Sequence, residues 1–181
     1  MKIAISGAGV AGPAFAHWMV RAGHDVTLVE KAPSFRTGGY VIDFWGLGYD
    51  IAQKMGIEKE ICEAGYQVQQ LRSVDANGQI RARLGVDPIR KVTKGRYTSV
   101  ARGDLAAAIY RTVEDDVETI YSDSIASIHN QADRVAVTFE RTEPRAFDMV
   151  IGADGLHSNV RRLVFGHESR YERYLGCQVA A

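Results

Sequence analysis

The sequence has little cysteine and no clustering of histidine. Its 181 residues include only Cys62 and Cys177, which do not form the spacing of a metal site or the framework of a disulfide-stapled fold. The five histidines are scattered along the chain, so no metal site is predicted. Because few cysteines and no disulfide framework are typical of proteins in a reducing compartment, we expect a cytoplasmic protein.

Charge of one sign and long hydrophobic runs are also missing. Lysine plus arginine and aspartate plus glutamate number 22 each, so the net charge is zero. A neutral chain has no global field that attracts nucleic acid or an anionic membrane, and neither partner is expected. No apolar run approaches the roughly 20 residues of a membrane span. A hydrophobic content of 46% is enough for one domain, or for one domain and a fragment of another.

The first 30 residues have the pattern of a strand–helix–strand unit. The apolar run over 2–6 ends at a glycine and is typical of a central parallel strand. Helical spacing over 10–22 follows, with Pro13 in the first turn and Gly23 as the stop. A second strand is predicted over 25–30. Such a unit places its two strands parallel with a right-handed crossover.

Between the first strand and the helix lies a G-x-G-x-x-G motif. Its first glycine permits a tight turn, its second lets a pyrophosphate approach the backbone, and its third lets the helix pack on the sheet. Glu30, at the end of the second strand, is placed to accept both ribose hydroxyls of an adenosine and to repel a 2′-phosphate. The alternative is a glycine-rich turn beside an exposed glutamate. The predicted dinucleotide contacts here are Gly7, Gly9, Val10, Ala11, Gly12, Glu30 and Lys31.

The remaining chain alternates between helical and extended patterns. Helices are predicted over 49–55, 58–64 and 104–113, and strands over 117–121, 124–130, 135–141 and 147–151. Two alternating segments over 67–74 and 79–85 are joined through Asn77-Gly78, which is a strong hairpin signal. Ser158 is expected to cap a short helix through Phe165. The segment over 174–181 has an extended pattern.

A second motif follows the last apolar strand and reads D-M-V-I-G-A-D-G-L-H-S-N-V-R over 148–161. With this motif the chain resembles the para-hydroxybenzoate hydroxylase-like flavoprotein monooxygenases, whose middle signature Asp154, Gly155, Ser158 and Arg161 match. The resemblance implies that Asp154 and Gly155 lie near the flavin and the nicotinamide cofactor. It assigns Arg161 a structural role through a carboxylate pair.

Weaker resemblances extend to three other segments. The stretch over 97–105 is similar to the family segment in which an arginine reaches toward the flavin, here Arg102; the alternative is a surface arginine beside Asp104. Arg36 and the segment over 38–41, with Tyr40, resemble the family's loop along FAD. The strand containing Ile125 is similar to one whose backbone touches the adenine. Tyr40, Phe44 and Trp45 form an aromatic patch that either lines a pocket or packs in a core.

The resemblance implies an α/β fold: a Rossmann-type FAD-binding domain with a parallel sheet, an antiparallel β layer and part of a substrate-domain sheet. The FAD-binding domain would comprise 1–66 and 97–170, and the substrate-side β segment 67–96 and 171–181. The implied function is that of an FAD-dependent monooxygenase. It would use NADH or NADPH and O2 to hydroxylate an aromatic or other electron-rich small molecule. No residue is identified as a catalytic base.

One family signature has no match in the sequence. This third signature is a Gly-Asp turn followed by Ala-Ala-His, and its aspartate holds the ribityl chain of the flavin. We therefore expect that the C-terminal half of the family fold is absent and that the chain is a fragment, a truncated form, or one piece completed by a second polypeptide. Two rival functions stay open: a flavin reductase or dehydrogenase of the same fold, and a catalytically silent dinucleotide-binding module.

Overall fold

The predicted strand–helix–strand unit forms the centre of a four-stranded parallel sheet. A computed structural model describes residues 1–36 and 38–177. In it, strand β1 (Lys2–Ser6), helix α1 (Ala11–Arg21) and strand β2 (Asp25–Glu30) lie where the sequence predicts them. The strand order is β11-β1-β2-β7, so β1 pairs with neighbours on both sides. The predicted α/β class, with parallel and antiparallel sheets, is confirmed.

The other elements complete the chain as follows. The helices are α2 Leu47–Met55, α3 Glu58–Ala64, α4 Asp87–Thr93, α5 Arg102–Arg111 and α6 Asn159–Phe165, with a short 3-10 turn at Glu168–Arg170. The strands are β3 Val41–Trp45, β4 Gln70–Val74, β5 Ile80–Gly85, β6 Tyr97–Ala101, β7 Glu118–Tyr121, β8 Ile125–Asn130, β9 Val135–Phe139, β10 Arg145–Phe147 and β11 Met149–Gly152. None of the helices in the described ranges is long and apolar enough to cross a membrane.

The chain divides into two compact units. Unit 1 comprises Met1–Thr37 and Ile109–Ala181, and unit 2 comprises Gly38–Ala108. The functional division predicted at residues 66, 96 and 170 stays a prediction, because compactness alone does not decide which residues serve a cofactor and which serve a substrate.

Unit 1 is layered around its parallel sheet. Side chains of a strand alternate between the two faces, so Ile3 and Ile5 of β1 pack toward α1 on one side. On the other side, Ala4 and Val29 pack against the antiparallel sheet β10-β9-β8 and helix α6. Both faces of β1 and β2 are therefore covered, which explains why these strands are nearly continuous apolar runs.

Unit 2 contains two antiparallel strand pairs, β3 with β6 and β4 with β5. The hairpin β4–β5 confirms the signal at Asn77-Gly78, and Gly78 adopts a φ of +77° in the turn. Asp75 stabilises that turn, since its carboxylate accepts the N–H groups of Asn77 and Gln79 at 2.9 Å each. Strands β3 and β6 and helix α4 were not anticipated as separate elements by the sequence patterns.

The single strand predicted over 147–151 is wrong, because the segment forms two strands. Asp148 separates them: its carboxylate accepts the Lys2 N–H at 2.6 Å, and its own N–H donates to the Lys2 carbonyl at 2.8 Å. This double contact ends the antiparallel strand β10 and starts β11 beside β1. The helix predicted over 104–113 begins and ends two residues earlier. Residues 174–177 form no strand, and 178–181 lie outside the described residues.

Candidate cofactor site

The two glycine motifs meet at the carboxyl ends of β1 and β11. Ser6 and Gly152 are partners in the parallel register, and the Ala153 N–H donates to the Ser6 carbonyl at 2.8 Å. Gly7 has a φ of +104°, and a Cβ on it would lie 2.5 Å from the Ala153 carbonyl oxygen. Only glycine fits there, because both the backbone conformation and the space exclude a side chain. Motifs distant in sequence therefore form one edge of the sheet.

Helix α1 begins directly behind this contact. A Cβ on Gly12 would lie 1.9 Å from the Gly7 carbonyl oxygen, so the first turn of the helix packs backbone against backbone. The helix has no side-chain cap at Val10. Its first N–H groups and the positive end of its dipole are thus left for an anionic ligand, as in pyrophosphate-binding turns.

Glu30 closes the site at the end of β2. The residue is only 5% exposed, and its carboxylate is held in place by two backbone groups. Oε2 accepts the Ala8 N–H and Oε1 accepts the Ala32 N–H, both at 2.9 Å. A carboxylate offers about four acceptor positions, so capacity for ribose hydroxyls remains. Arg36 lies 3.5 Å from Oε1 with a mostly exposed side chain, and Lys31 is exposed.

Asp154 accepts several hydrogen bonds from the residues that follow it. Its Oδ2 accepts the N–H groups of Asn159 at 2.8 Å and Val160 at 3.1 Å, and its Oδ1 accepts the Ser158 hydroxyl. The side chain thereby fixes the loop onto the start of α6. Gly155, which follows with a φ of +85°, is exposed. The predicted cap is confirmed, since the Ser158 hydroxyl oxygen accepts the Arg161 N–H at 3.0 Å.

Arg161 ties the same loop from its other side. Its guanidinium donates to the Leu156 carbonyl at 2.7 Å and lies 3.7 Å from a carboxylate oxygen of Glu168. The structural role expected for this arginine therefore has a carboxylate partner, which the motif alone did not identify.

Ile125 is oriented into the core of unit 1. Its side chain is buried, and its carbonyl accepts the side-chain amide of Asn159 at 2.6 Å. Asn159 therefore links the Asp154 loop to strand β8, a role that sequence reasoning missed and for which no local pattern existed. The adenine contact predicted for the backbone at Ile125 stays a prediction.

Sequence reasoning also did not identify two polar residues near Glu30, which are Tyr121 and Asp123. Burial, followed by a hydrogen bond with Tyr110 and repulsion from Glu30, raises the pKa of Tyr121, so its phenol stays neutral.

Asp123 is buried and accepts the N–H groups of Ser124, Arg141 and Thr142. Burial alone would raise the pKa of Asp123, but these hydrogen bonds outweigh it and lower the pKa. Its role is structural.

The predicted contacts in unit 2 form a group of their own. The Arg102 N–H donates to the Tyr40 carbonyl at 3.0 Å, so the segment over 38–41 lies on the start of α5. Gly103 permits this approach, because a Cβ there would lie 2.3 Å from the Gly38 nitrogen. The side chains of Tyr40 and Arg102 are both exposed. In the aromatic patch, Phe44 packs toward Tyr49 with ring centroids 6.1 Å apart, whereas Trp45 is exposed.

A glycine turn between strand and helix, an uncapped helix start and a buried carboxylate at the next strand end define a dinucleotide-binding fold of the Rossmann type. Comparison with known families agrees. Residues 1–173 match the family described as FAD binding domain, and the chain belongs to that family.

Individual relatives share the same region. An uncharacterised protein of Mycobacterium tuberculosis is 41% identical over 98% of this chain and 48% of its own length. A flavin-dependent monooxygenase of Legionella longbeachae is 36% identical over 99% of this chain and 46% of its own length. The crystal structure of the tetracycline destructase Tet(51) is 37% identical and superposes with a TM-score of 0.77, covering 91% of this chain and 41% of that one. The chain spans about half the length of the curated relatives it matches.

Proposed function

We propose that this chain is the FAD-binding portion of a flavin-dependent monooxygenase. The enzyme would use NADH or NADPH and O2 to oxygenate an aromatic or other electron-rich small molecule. One observation carries the proposal: the Gly7 turn, the uncapped start of α1 and the buried Glu30 carboxylate converge beside the Asp154 loop. Family membership and the names of the relatives support the same assignment.

Each part of the site has a distinct task in binding FAD. The first N–H groups of α1 bind the pyrophosphate, and Glu30 accepts the ribose hydroxyls with the lone pairs that Ala8 and Ala32 leave open. When bound, FAD supplies the redox chemistry, and the protein supplies binding, orientation and charge. The proposed contacts are Gly7, Gly9, Val10, Ala11, Gly12, Glu30, Lys31, Arg36, Tyr40, Arg102, Ile125, Asp154 and Gly155.

Two groups would act through their position or charge. Gly155 and Arg102 are proposed to lie near the flavin, where the arginine would stabilise negative charge. Asp154 contributes by fixing the loop, since its carboxylate oxygens already accept several protein hydrogens. We assign no catalytic base.

The division of labour along the chain is part of the proposal. Residues 1–66 and 97–170 would serve the cofactor, and 67–96 with 171–181 would serve the substrate side. Because the chain spans about half of its relatives, the complete activity is assigned to the chain together with the remaining half, as continuing polypeptide or as a second chain. The proposed compartment is the cytoplasm, and neither nucleic acid nor a membrane is a proposed partner.

Titration with FAD tests the cofactor assignment. Glu30→Gln removes the charge and replaces one acceptor by a donor. Hydrogen bonds to a charged group contribute roughly 1.5–3 kcal/mol, so the dissociation constant for FAD should rise by about tenfold or more. The readout is flavin absorbance and fluorescence on titration. Glu143→Gln, the same change at an exposed site, should bind FAD as the unchanged chain does. Equal affinity of both variants would remove Glu30 from the site.

Turnover under oxygen-18-labelled O2 distinguishes a monooxygenase from the two alternative functions. In the protein that contains both halves, NAD(P)H oxidation under labelled O2 should place one labelled oxygen atom in the product. Unlabelled, reduced or dehydrogenated products would instead indicate a flavin reductase or dehydrogenase. Flavin binding without any substrate-dependent NAD(P)H oxidation would indicate a silent dinucleotide-binding module.

A further inference from the structure

Unit 2 contains an open cavity of ≈ 300 Å³ on one face of the β3–β6 pair. Asp43 and Trp45 of β3 line it together with Tyr97 of β6. The register pairs Trp45 with Tyr97, and alternate residues of a strand share a face. Most of the remaining lining is aliphatic, and it includes Val68, Leu71, Ile89 and Val92. The volume lies at the lower end of the range for small-molecule sites.

The other face of the same strands is already covered. Phe44 packs toward Tyr49 of α2, and a Cβ on Gly65 would lie 2.3 Å from the Thr98 hydroxyl oxygen. The cavity is therefore on the side of the pair that helices α2 and α3 do not cover.

The hydroxyl groups of the cavity already use their hydrogens within the protein. The Tyr97 hydroxyl donates to the Val68 carbonyl at 3.0 Å, and the Thr93 hydroxyl donates to the Ile89 carbonyl at 2.8 Å. Behind them, the buried Ser99 hydroxyl donates to Oδ1 of Asp43 at 2.5 Å. These groups leave oxygen lone pairs, and Oδ2 of Asp43, for a ligand. Apart from the hydroxyl groups of Tyr97 and Thr93, the side-chain donor of the lining is the indole N–H of Trp45.

The charge of the lining is equally one-sided, because Asp43 is its only charged residue. A neighbouring hollow of ≈ 280 Å³ shares Trp45, Val92 and Thr93, and its basic residues are Lys94 and Arg96. Arg96 is paired with Asp50 there. Apolar walls, two aromatic rings and one carboxylate together favour an apolar ring with a cationic donor.

We infer that this cavity binds an aromatic amine, with the ring among Trp45, Tyr97 and the aliphatic side chains and the ammonium on Asp43. The inference rests on the proposed function for the ligand's role as the substrate, whereas its binding is independent of that role. An aromatic carboxylate, by contrast, meets a like charge and acceptor oxygens.

Three indoles of similar shape test the inference on the 181-residue chain by isothermal titration calorimetry. They are tryptamine, a cation; 3-ethylindole, which is neutral; and indole-3-propionate, an anion. We expect affinity to fall in that order, with roughly tenfold between the amine and the acid, as partly exposed ion pairs allow. Absence of binding by all three, or tighter binding of the acid, would overturn the inference.

A charge-neutral variant identifies the residue responsible. Asp43→Asn keeps an oxygen for the Ser99 hydroxyl but removes the charge, so it should abolish the preference for tryptamine and leave 3-ethylindole unchanged. Asp87→Asn is the matched control, because it removes the same charge from the exposed start of α4 outside the lining. A preference kept in Asp43→Asn, or lost in Asp87→Asn, contradicts the assignment. FAD titration of the same samples separates this outcome from failure of the proposed function.

Discussion

The parallel sheet of unit 1 and the β4–β5 hairpin of unit 2 are opposite solutions to burying a strand. Ile3, Ile5 and Leu28 of the sheet have no exposed surface, because a layer packs on each face. In the two strands of the hairpin every residue is exposed, including Leu71 and Leu84. The difference shows that unit 1 builds its core from its own layers. The hairpin instead has its ladder, the turn held by Asp75, and Leu71 in the wall of the cavity.

The same contrast appears in the glycine turns. Gly7 in unit 1 is crowded by the backbone at Ala153, whereas a Cβ on Gly78 in unit 2 would meet nothing within 4 Å. Both residues have positive φ. One turn is therefore constrained by its surroundings as well as by its conformation, and the other by its conformation alone.

Truncation of a core side chain should give the largest difference between the units. Ile5→Ala leaves a cavity at the centre of the sheet and should lower the free energy of unfolding by about 2–5 kcal/mol. Leu84→Ala, at a side chain that is 57% exposed, should change it by less than about 0.5 kcal/mol. Urea unfolding followed by circular dichroism measures both. Similar losses would mean that the hairpin has a buried face that the structure does not show.

Glycine replacement tests crowding against conformation. Gly7→Ala adds a Cβ 2.5 Å from the Ala153 carbonyl oxygen, so it should cost about 2–3 kcal/mol and abolish FAD binding, because the turn must move. Gly78→Ala carries only the conformational cost of positive φ, about 1 kcal/mol, and should leave FAD binding intact. Flavin titration and unfolding midpoints give the two readouts. Normal FAD affinity in Gly7→Ala would contradict the close packing of the loops.

Two aspartate substitutions compare the loss of a helix-cap contact in unit 1 with the loss of a turn contact in unit 2. Asp154→Asn replaces an oxygen that accepts protein hydrogens by a donor and should destabilise unit 1 by about 1–2 kcal/mol. Asp75→Asn keeps an oxygen for the two turn N–H groups and loses only an ion pair with the exposed Arg81, at a cost of about 0.5 kcal/mol. Thermal unfolding of both variants measures the difference. An unaffected Asp154→Asn variant would indicate that Ser158 alone caps α6.

The smallest expected effect is a pH dependence of the free energy of unfolding. It arises in unit 1, where all five histidines lie. Burial, and then repulsion from Arg21, lowers the pKa of His17 below its ordinary 6.5. The unfolded chain therefore binds a proton at a pH where the folded chain does not, and stability should fall as the pH drops below about 6.5. His17→Gln should make the free energy of unfolding less dependent on pH between 7.5 and 5. An identical slope would show that His17 does not contribute.

The sequence predicted those parts of the fold whose signals are local. The first three elements, helix α3, the hairpin and the Ser158 cap depend on apolar periodicity, Gly and a capping hydroxyl within a few residues. Asp148 gives no such signal, because its contact is with Lys2, 146 residues away in the sequence. Strand β3 was not predicted for another reason. The segment over 41–45 follows Gly38 and Gly39, and this glycine-containing stretch resembles a cofactor loop.

The candidate site likewise contains residues that local sequence signals predicted and residues that they did not. Gly7, Gly12 and Glu30 could be predicted, because the motif encodes a backbone shape and a carboxylate at a fixed distance. The hydrogen bond from the Asn159 side chain to the Ile125 carbonyl could not be predicted, because it requires knowing that α6 packs beside β8. Sequence motifs thus identified the backbone turn and the carboxylate of the candidate site, and the structure was needed to find the side chain that links its loop to β8.

The pairing of β1 with β11 has a consequence for how the protein is made. Residues 3–6 cannot pair with β11 during synthesis until residues 149–152 have emerged from the ribosome. Until then one edge of the central strand is open, and such long-range parallel pairing is slow and exposed to aggregation. The turn at Gly7 then gains its neighbour Ala153 only after residue 153 has been translated. The earliest synthesised part of the dinucleotide site therefore matures only after the Asp154 loop has been made.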